Sequence, residues 1–189
     1  MSEFIERERL LVAEQIEAAL DLMADRLCAL IHDPEKVALV GVRTGGVPLA
    51  ARLQGRLRER LGVEPPLGSL DITLYRDDVL RGLDTPLVGP TDIDFRLAER
   101  RIVLVDDVLY TGRTVRAAID ALMDLGRPQR ILLAALVDRG GRELPIQADA
   151  AGLVREVASD ESVEVRLRET HGEDLVVLRH VVGAPGGGA

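Results

Sequence analysis

Ile102-Val103-Leu104-Val105-Asp106-Asp107-Val108-Leu109-Tyr110-Thr111-Gly112-Arg113-Thr114 is the stretch on which the reading of this chain turns. Four β-forming residues, Ile102 to Val105, end in two adjacent carboxylates. A short loop holding Thr111, Gly112 and Thr114 then leads into a helix that runs to Leu125 and stops at Gly126. Loop amides and a helix N-terminus together make a cradle for an anion, and the two hydroxyls add hydrogen bonds. Gly112 permits close backbone approach. Two acids beside a phosphate cradle look contradictory if phosphate is the whole ligand. They make sense if a neutral diol lies between, since carboxylates accept hydrogen bonds from sugar hydroxyls. The residues therefore point to a ribose 5-phosphate, with Asp106 and Asp107 on its 2- and 3-hydroxyls. A bare Asp-Asp pair reads equally well as a helix cap; the whole string on a strand–loop–helix frame does not.

Working outward, Val37-Ala38-Leu39-Val40-Gly41-Val42 is a continuous apolar strand, as in a sheet covered on both faces. Arg43-Thr44-Gly45-Gly46 follows at its carboxyl end, where open α/β sheets bind ligands. The glycines free the backbone to present amides and Arg43 adds positive charge. Pro48 lies near the start of a helix reaching Leu61, with Gly62 as its C-terminal cap. Ser69 to Tyr75 alternates apolar and polar residues and predicts a half-buried strand. Thr73-Leu74-Tyr75-Arg76-Asp77-Asp78 opens a stretch to Asp94 broken by Gly82, Pro86, Gly89 and Pro90, which reads as a long mobile lid loop able to fold back as a hairpin. From there Arg76 is placed to close on an anionic ligand. Ile131 to Val137 predicts another core strand, followed by Asp138-Arg139-Gly140-Gly141-Arg142-Glu143-Leu144-Pro145.

At the N-terminus, Ile5 to Ile31 predicts one helix, its apolar positions running from Ile16 through Leu20, Met23 and Leu27. Strand–helix alternation implies parallel βαβ units. Beyond Val137 the texture changes to short strands, Val163 to Leu167 and Leu175 to Leu178, and the glycine-rich residues 183–189 predict a disordered tail.

Composition sets the exclusions. The formal net charge of −8 and the scarcity of aromatic residues, 2% with no Trp, argue against a nucleic-acid binder built on a basic field or stacking platforms. Cys28, the single cysteine, rules out an internal disulfide and reads as a small core residue. His32, His171 and His180 show no zinc spacing. No apolar run approaches the roughly 18 residues of a membrane span, and the acidic start Met1-Ser2-Glu3 is unlike a signal peptide, so the cytoplasm is expected.

The string around Asp106 and Asp107 resembles the phosphoribosyl-pyrophosphate motif of type I phosphoribosyltransferases, and Arg43 to Gly46 resembles their pyrophosphate loop. With Leu70 to Asp78, Asp124-Leu125-Gly126-Arg127-Pro128 and Arg142-Glu143-Leu144-Pro145-Ile146, the chain resembles the PyrR family, bifunctional pyrimidine operon attenuators and uracil phosphoribosyltransferases. The resemblance implies an α/β type I phosphoribosyltransferase fold: a mostly parallel central sheet flanked by helices, a mobile lid loop and a small hood, in one domain spanning residues 1–182. It implies conversion of uracil and phosphoribosyl pyrophosphate into UMP and pyrophosphate with Mg2+, without a covalent nucleophile. By the same resemblance Asp106, Asp107, Arg43 and Arg76 are catalytic. Substrate-binding residues would be Thr44, Gly45, Val105, Val108, Leu109, Tyr110, Thr111, Gly112, Arg113 and Thr114. The nucleobase segment would be Val137 to Pro145, with Val137, Asp138 and Arg139 as its binding residues, and Asp106 and Asp107 would meet the metal mainly through substrate and water.

The resemblance also implies self-association as dimers or larger assemblies and, as an alternative activity, UMP-dependent binding of pyrimidine-leader RNA. Here Gly141 stands where RNA-binding relatives show His, Gly45 where Arg is frequent, Asp21-Leu22 where a Thr-Arg pair is usual, and Gly152 to Glu161 where a Gly-Lys-Asn and Pro-Thr-Ser stretch is usual. Each lost phosphate contact weakens RNA binding, so weak or no specific RNA retention is expected. Binding to DNA or membrane is not expected.

Overall fold

The computed structural model describes residues 3–75 and 90–182. Its centre is a five-stranded sheet, with β2 (Val37–Val42), β3 (Leu67–Leu70), β4 (Arg101–Leu109), β5 (Arg130–Asp138) and β6 (Ala150–Val154) in the order β3-β2-β4-β5-β6. Every neighbouring pair in it is parallel. Parallel strands require crossovers. Two of these are helices, α2 (Gly46–Leu61) and α3 (Arg113–Leu125).

Both faces of the sheet are covered, which is why β2 is apolar throughout and buried at every position. One core cluster joins Leu39, Val103, Val105 and Leu136 to Ile16, Leu20, Met23 and Leu27 of α1 (Ala13–Leu30) and to Leu49, Leu53 and Leu57 of α2. The other joins Val40, Leu104 and Ala135 to Val115, Ala118, Ala121 and Leu122 of α3. Gly62, in a left-handed conformation at φ 73°, ends α2 as expected, its amide donating to the Arg58 carbonyl.

A second sheet, antiparallel and ordered β1-β8-β7, is built from β1 (Glu3–Val12), β7 (Glu161–Arg166) and β8 (Leu175–Val182), with the short helix α4 (Arg168–His171) between the last two. This corrects the expectation of a single helix from Ile5 to Ile31. Residues 5–12 pair with β8, and the helix starts only at Ala13. The apolar helical spacing begins at Ile16, so nothing in the sequence carried the helix further back. Pairing with β8 overrides the high helix propensity of the Glu, Arg and Leu residues in this segment.

The strand expected over Ser69 to Tyr75 is shorter. β3 ends at Leu70, and Thr73–Tyr75 form a 3-10 turn whose start is held by the Thr73 amide donating to the Asp71 carboxylate. The expected lid, Arg76 to Asp94, falls outside the described residues up to residue 89, as does the tail 183–189. Where the chain is described again, Asp92 and Ser69 exchange two backbone hydrogen bonds of 2.8 Å in a single antiparallel bridge.

A charge ladder that the sequence reading missed ties α1 to α2. Glu17, Asp21 and Asp25, spaced one helical turn apart, meet Arg52, Arg56 and Arg60, spaced likewise on α2. Arg52 is the buried member and also bonds Glu169 and Asp174, fastening α4 and the second sheet to α2. Among the described residues no helix is long and apolar enough to cross a membrane.

Candidate active site at the carboxyl ends of the strands

The sheet brings the two glycine-containing loops together. β2 and β4 are adjacent and parallel, so the Arg43–Gly46 loop after β2 sits beside the end of β4. The approach depends on missing side chains. A Cβ on Gly41 would lie 2.6 Å from Val47 Cα, and one on Gly46 would overlap the Val105 carbonyl oxygen and lie 3.3 Å from Asp106 Cα. A Cβ on Gly45 would run into the Asp107 carboxyl group. Only glycine lets the loop reach the acids this closely. The Arg43–Thr44 peptide bond is cis. Arg43 and Thr44 are exposed, and the Arg43 guanidinium donates to Ser69 Oγ of β3 at 3.2 Å.

The strand carrying the acids is longer than expected. Ile102 to Val105 was expected to end it, but β4 continues to Leu109 because β5 keeps supplying partners: Asp106 aligns with Ala135, Val108 with Val137 and Leu109 with Asp138. The facing of its side chains slips across the acids. Val103, Val105 and Val108 all belong to the cluster under α1 and α2, whereas Leu104 and Leu109 belong to the cluster under α3. Asp106 is buried and Asp107 half-buried. Each takes a local backbone amide, Asp107 N–H donating to Asp106 Oδ1 at 3.0 Å and Val108 N–H to Asp107 Oδ1 at 2.8 Å. These bonds fix the carboxylates on the strand.

Beyond Leu109 the loop is short. Tyr110 is exposed and Thr111 half-buried, and Gly112 takes φ 91°, a left-handed conformation that favours glycine, immediately before α3. The first-turn amides of α3 therefore emerge from a tight corner, as an anion cradle requires. The Arg113 amide donates to Thr111 Oγ1 at 3.3 Å, and the Arg113 guanidinium pairs with Glu143. Thr114 is half-buried in the first turn.

The segment after β5 wraps round this loop. Val137 is buried in the sheet. Arg139 is buried too, its amide donating to Leu109 O and its guanidinium stacked 3.9 Å from the centre of the Tyr110 ring. Arg139 Nη2 donates to Ala158 O, while Nε is buried without a partner among the described residues. Asp138 is held by Arg142 and by the Gly140 amide. Gly141, at φ 67°, has no room for a side chain: a Cβ there would lie 2.5 Å from Tyr110 Cε2.

Away from the corner, Tyr75 OH donates to Asp124 in the last turn of α3 at 2.8 Å, which pushes the phenol pKa up. Arg76, the residue expected to close from the lid, lies outside the described residues. Arg142 was quoted in the segment after β5 without a role, and its guanidinium bridges Asp138, Gly140, Ile146 and the Leu109–Tyr110 carbonyls. The signal available was an opposite charge four residues after Asp138, across two glycines.

These features define a phosphoribosyl transferase domain, and the family model of that description matches residues 9–168. Solved structures share the fold at low identity. A hypoxanthine-guanine phosphoribosyltransferase from Bacillus anthracis superposes with a TM-score of 0.67 at 15% identity, covering 94% of this chain and 99% of that one. The hypoxanthine phosphoribosyltransferase of Trypanosoma cruzi gives 0.68 at 19% identity, covering 93% and 98%. Within this class the chain belongs to the PyrR family. It is 53% identical to the bifunctional protein PyrR of Deinococcus radiodurans, over 89% of this chain and 92% of the relative. It is 49% identical to that of Thermus aquaticus, over 94% and 98%.

Proposed function

We propose that the chain transfers the phosphoribosyl group of phosphoribosyl pyrophosphate to uracil, giving UMP and pyrophosphate, as one catalytic domain spanning residues 1–182 and acting in the cytoplasm as a homo-oligomer. The observation that carries this reading is the meeting of the Arg43–Gly46 loop with Asp106 and Asp107 at the carboxyl ends of two adjacent parallel strands. In this reading the corner Tyr110 to Thr114 receives the 5-phosphate, with Val105, Val108 and Leu109 shaping the strand beneath it. Asp106 and Asp107 accept hydrogen bonds from the ribose hydroxyls, and their charge lies near the cation that develops at the anomeric carbon as its bond to pyrophosphate breaks. Arg43, with the backbone of Thr44 and Gly45, receives the pyrophosphate, and Arg76 closes over it. Val137, Asp138 and Arg139 form the wall against which the base lies. Positioning and electrostatics suffice for the transfer, and the base nitrogen itself is the nucleophile.

Magnesium fits this donor set as an ion carried mainly by substrate oxygens and water. In this reading Asp106 and Asp107 would meet it from the protein side, mainly through substrate and water. Such an ion would offset negative charge on the leaving pyrophosphate.

The test is a base panel. Uracil, hypoxanthine, guanine and orotate are each supplied with phosphoribosyl pyrophosphate and magnesium, and the nucleotide formed is measured. UMP from uracil, with the other bases far slower, is expected; turnover of a purine in preference to uracil refutes the assignment.

The relatives are named bifunctional, and by the family resemblance the second activity is UMP-dependent binding of pyrimidine-leader RNA. Against strong binding, Arg52, Arg56 and Arg60 of α2 are engaged by acids, and Arg155 pairs with Glu8. Filter retention of leader RNA with and without UMP separates the readings. Weak retention is expected, and a tight UMP-dependent complex establishes the second one.

A further inference from the structure

Arg142 is not among the residues assigned to substrate, yet its side chain joins four pieces of the site. Nη1 donates to the Tyr110 carbonyl at 2.7 Å and to the Gly140 carbonyl at 3.1 Å, with Leu109 O at 3.3 Å. Nε donates to Ile146 O at 2.9 Å, and Nη2 pairs with Asp138 Oδ2 at 2.5 Å. The pair is mostly buried, with 21% of the Arg142 and 17% of the Asp138 side chain exposed. The planar fork matters here. A guanidinium presents five hydrogens in fixed directions and can satisfy carbonyls on several sides at once, while a lysine ammonium is a point charge that cannot span them.

The surroundings reinforce this geometry. The Glu143 and Leu144 amides both donate to the Thr111 carbonyl, and the Leu144 side chain packs against Gly112. Residues 138–146 are thus wrapped round the corner 109–113, and Arg142 is the pin. If the corner holds the phosphate and the wall at Val137 to Arg139 meets the base, the distance between those ends of one nucleotide is set by this guanidinium.

We infer that Arg142 is a positioning residue, fixing the base wall to the phosphate corner so that both ends of a ribonucleotide are held in register. The inference rests on the phosphoribosyltransferase reading above, and it separates two ligands that share one end. Ribose 5-phosphate needs only the corner and the acids. UMP needs the corner and the wall at a fixed separation.

The experiment is isothermal titration of the full chain and of Arg142→Lys with UMP and with ribose 5-phosphate. Lysine keeps the charge and the aliphatic stem but cannot bridge the carbonyls. UMP affinity is expected to fall about tenfold or more, as for a misplaced binding group, while ribose 5-phosphate affinity stays within about threefold of the parent chain. Retained ribose 5-phosphate binding also shows that the variant is folded. In Arg142→Ala, added methylguanidinium is expected to restore UMP binding saturably and ammonium is not. Unchanged UMP affinity in Arg142→Lys, or equal losses for both ligands, overturns the positioning role. A parent chain that binds neither ligand refutes the phosphoribosyltransferase reading itself.

Discussion

Gly46→Ala and Gly55→Ala, two substitutions in one helix, should have opposite consequences. A Cβ on Gly46 would lie 3.1 Å from the Val105 carbonyl carbon and closer still to its oxygen. Val105 is fully buried in the central strand, so that strand cannot yield. Moving the added methyl out to ordinary contact, roughly 3.5 Å from a heavy atom, shifts the Arg43–Gly46 loop and the start of α2 by about 1 Å. Overpacking of this kind costs about 1–3 kcal/mol. For a chain of this length that lowers Tm by about 2–12 °C.

The larger effect is on turnover, since the loop is displaced from Asp106 and Asp107. A misplacement of about 1 Å can reduce rate by about 10²-fold. Gly55 is the control, because nothing lies within 4 Å of a Cβ built there and the residue is helical. Alanine at 55 should raise stability by about 0.5–1 kcal/mol, and so raise Tm by about 1–4 °C, with kcat/KM unchanged. The assays are thermal unfolding by circular dichroism and steady-state UMP formation at varied phosphoribosyl pyrophosphate. Gly46→Ala with parental Tm and kcat/KM would refute the claim that close backbone seating builds the site.

Other expectations concern charge and burial. Asp106→Asn and Asp107→Asn keep shape but remove charge, and each should lower kcat/KM for phosphoribosyl pyrophosphate by about 10²–10³-fold; steady-state kinetics checks this, and a loss under threefold contradicts the role given to the acids. The Arg52 hydrogen bond holds the Glu169 carboxyl below its usual range; burial raises that of Asp174, but the bonds from Arg52 and the Arg168 amide outweigh it and leave it lowered. Because both pKa values are lower folded than unfolded, the stability these groups contribute is complete above the ordinary values of 4.5 and 3.8 and drains away as pH falls below them. The Tm gap between the parent chain and Arg52→Met should therefore narrow between pH 7 and pH 3.5, whereas a gap constant with pH contradicts the assignment. Burial pushes the Cys28 thiol up, so its modification by iodoacetamide at neutral pH should be slower than that of a free thiol, and rapid labelling of the folded chain would contradict this.

Much of the fold was legible because the parallel core writes itself in apolar runs. Val37–Val42 and Ile131 to Val137 can be read directly, since strands covered on both faces need apolar residues at every position. Gly62 marked a helix end for a local reason, the left-handed conformation that closes α2. The second sheet was not legible at its N-terminal strand. Glu3–Val12 is charged and faintly patterned, and its partner β8 lies more than 160 residues along the chain. Nothing local distinguishes such a segment from an extension of the helix that follows. The extension of β4 through its acids had the same cause, because β5 supplies the partners.

At the candidate site, the motif residues could be found as short strings with a physical purpose. The contact between Gly46 and Val105 and the bridging by Arg142 could not, because they depend on which strands become neighbours and on how a turn folds back. Gly141 shows the difference. As a sequence feature it is a replaced histidine, whereas in the fold it leaves room for the Tyr110 ring that stacks on Arg139.

Where the sugar phosphate sits can be seen in a crystal structure of the full chain with UMP. Phosphate density is expected at the corner Tyr110 to Thr114, with ribose hydroxyls within hydrogen-bond distance of Asp106 and Asp107 and the base against Val137 to Arg139. Nucleotide bound elsewhere, with the two acids touching only protein, would contradict this placement.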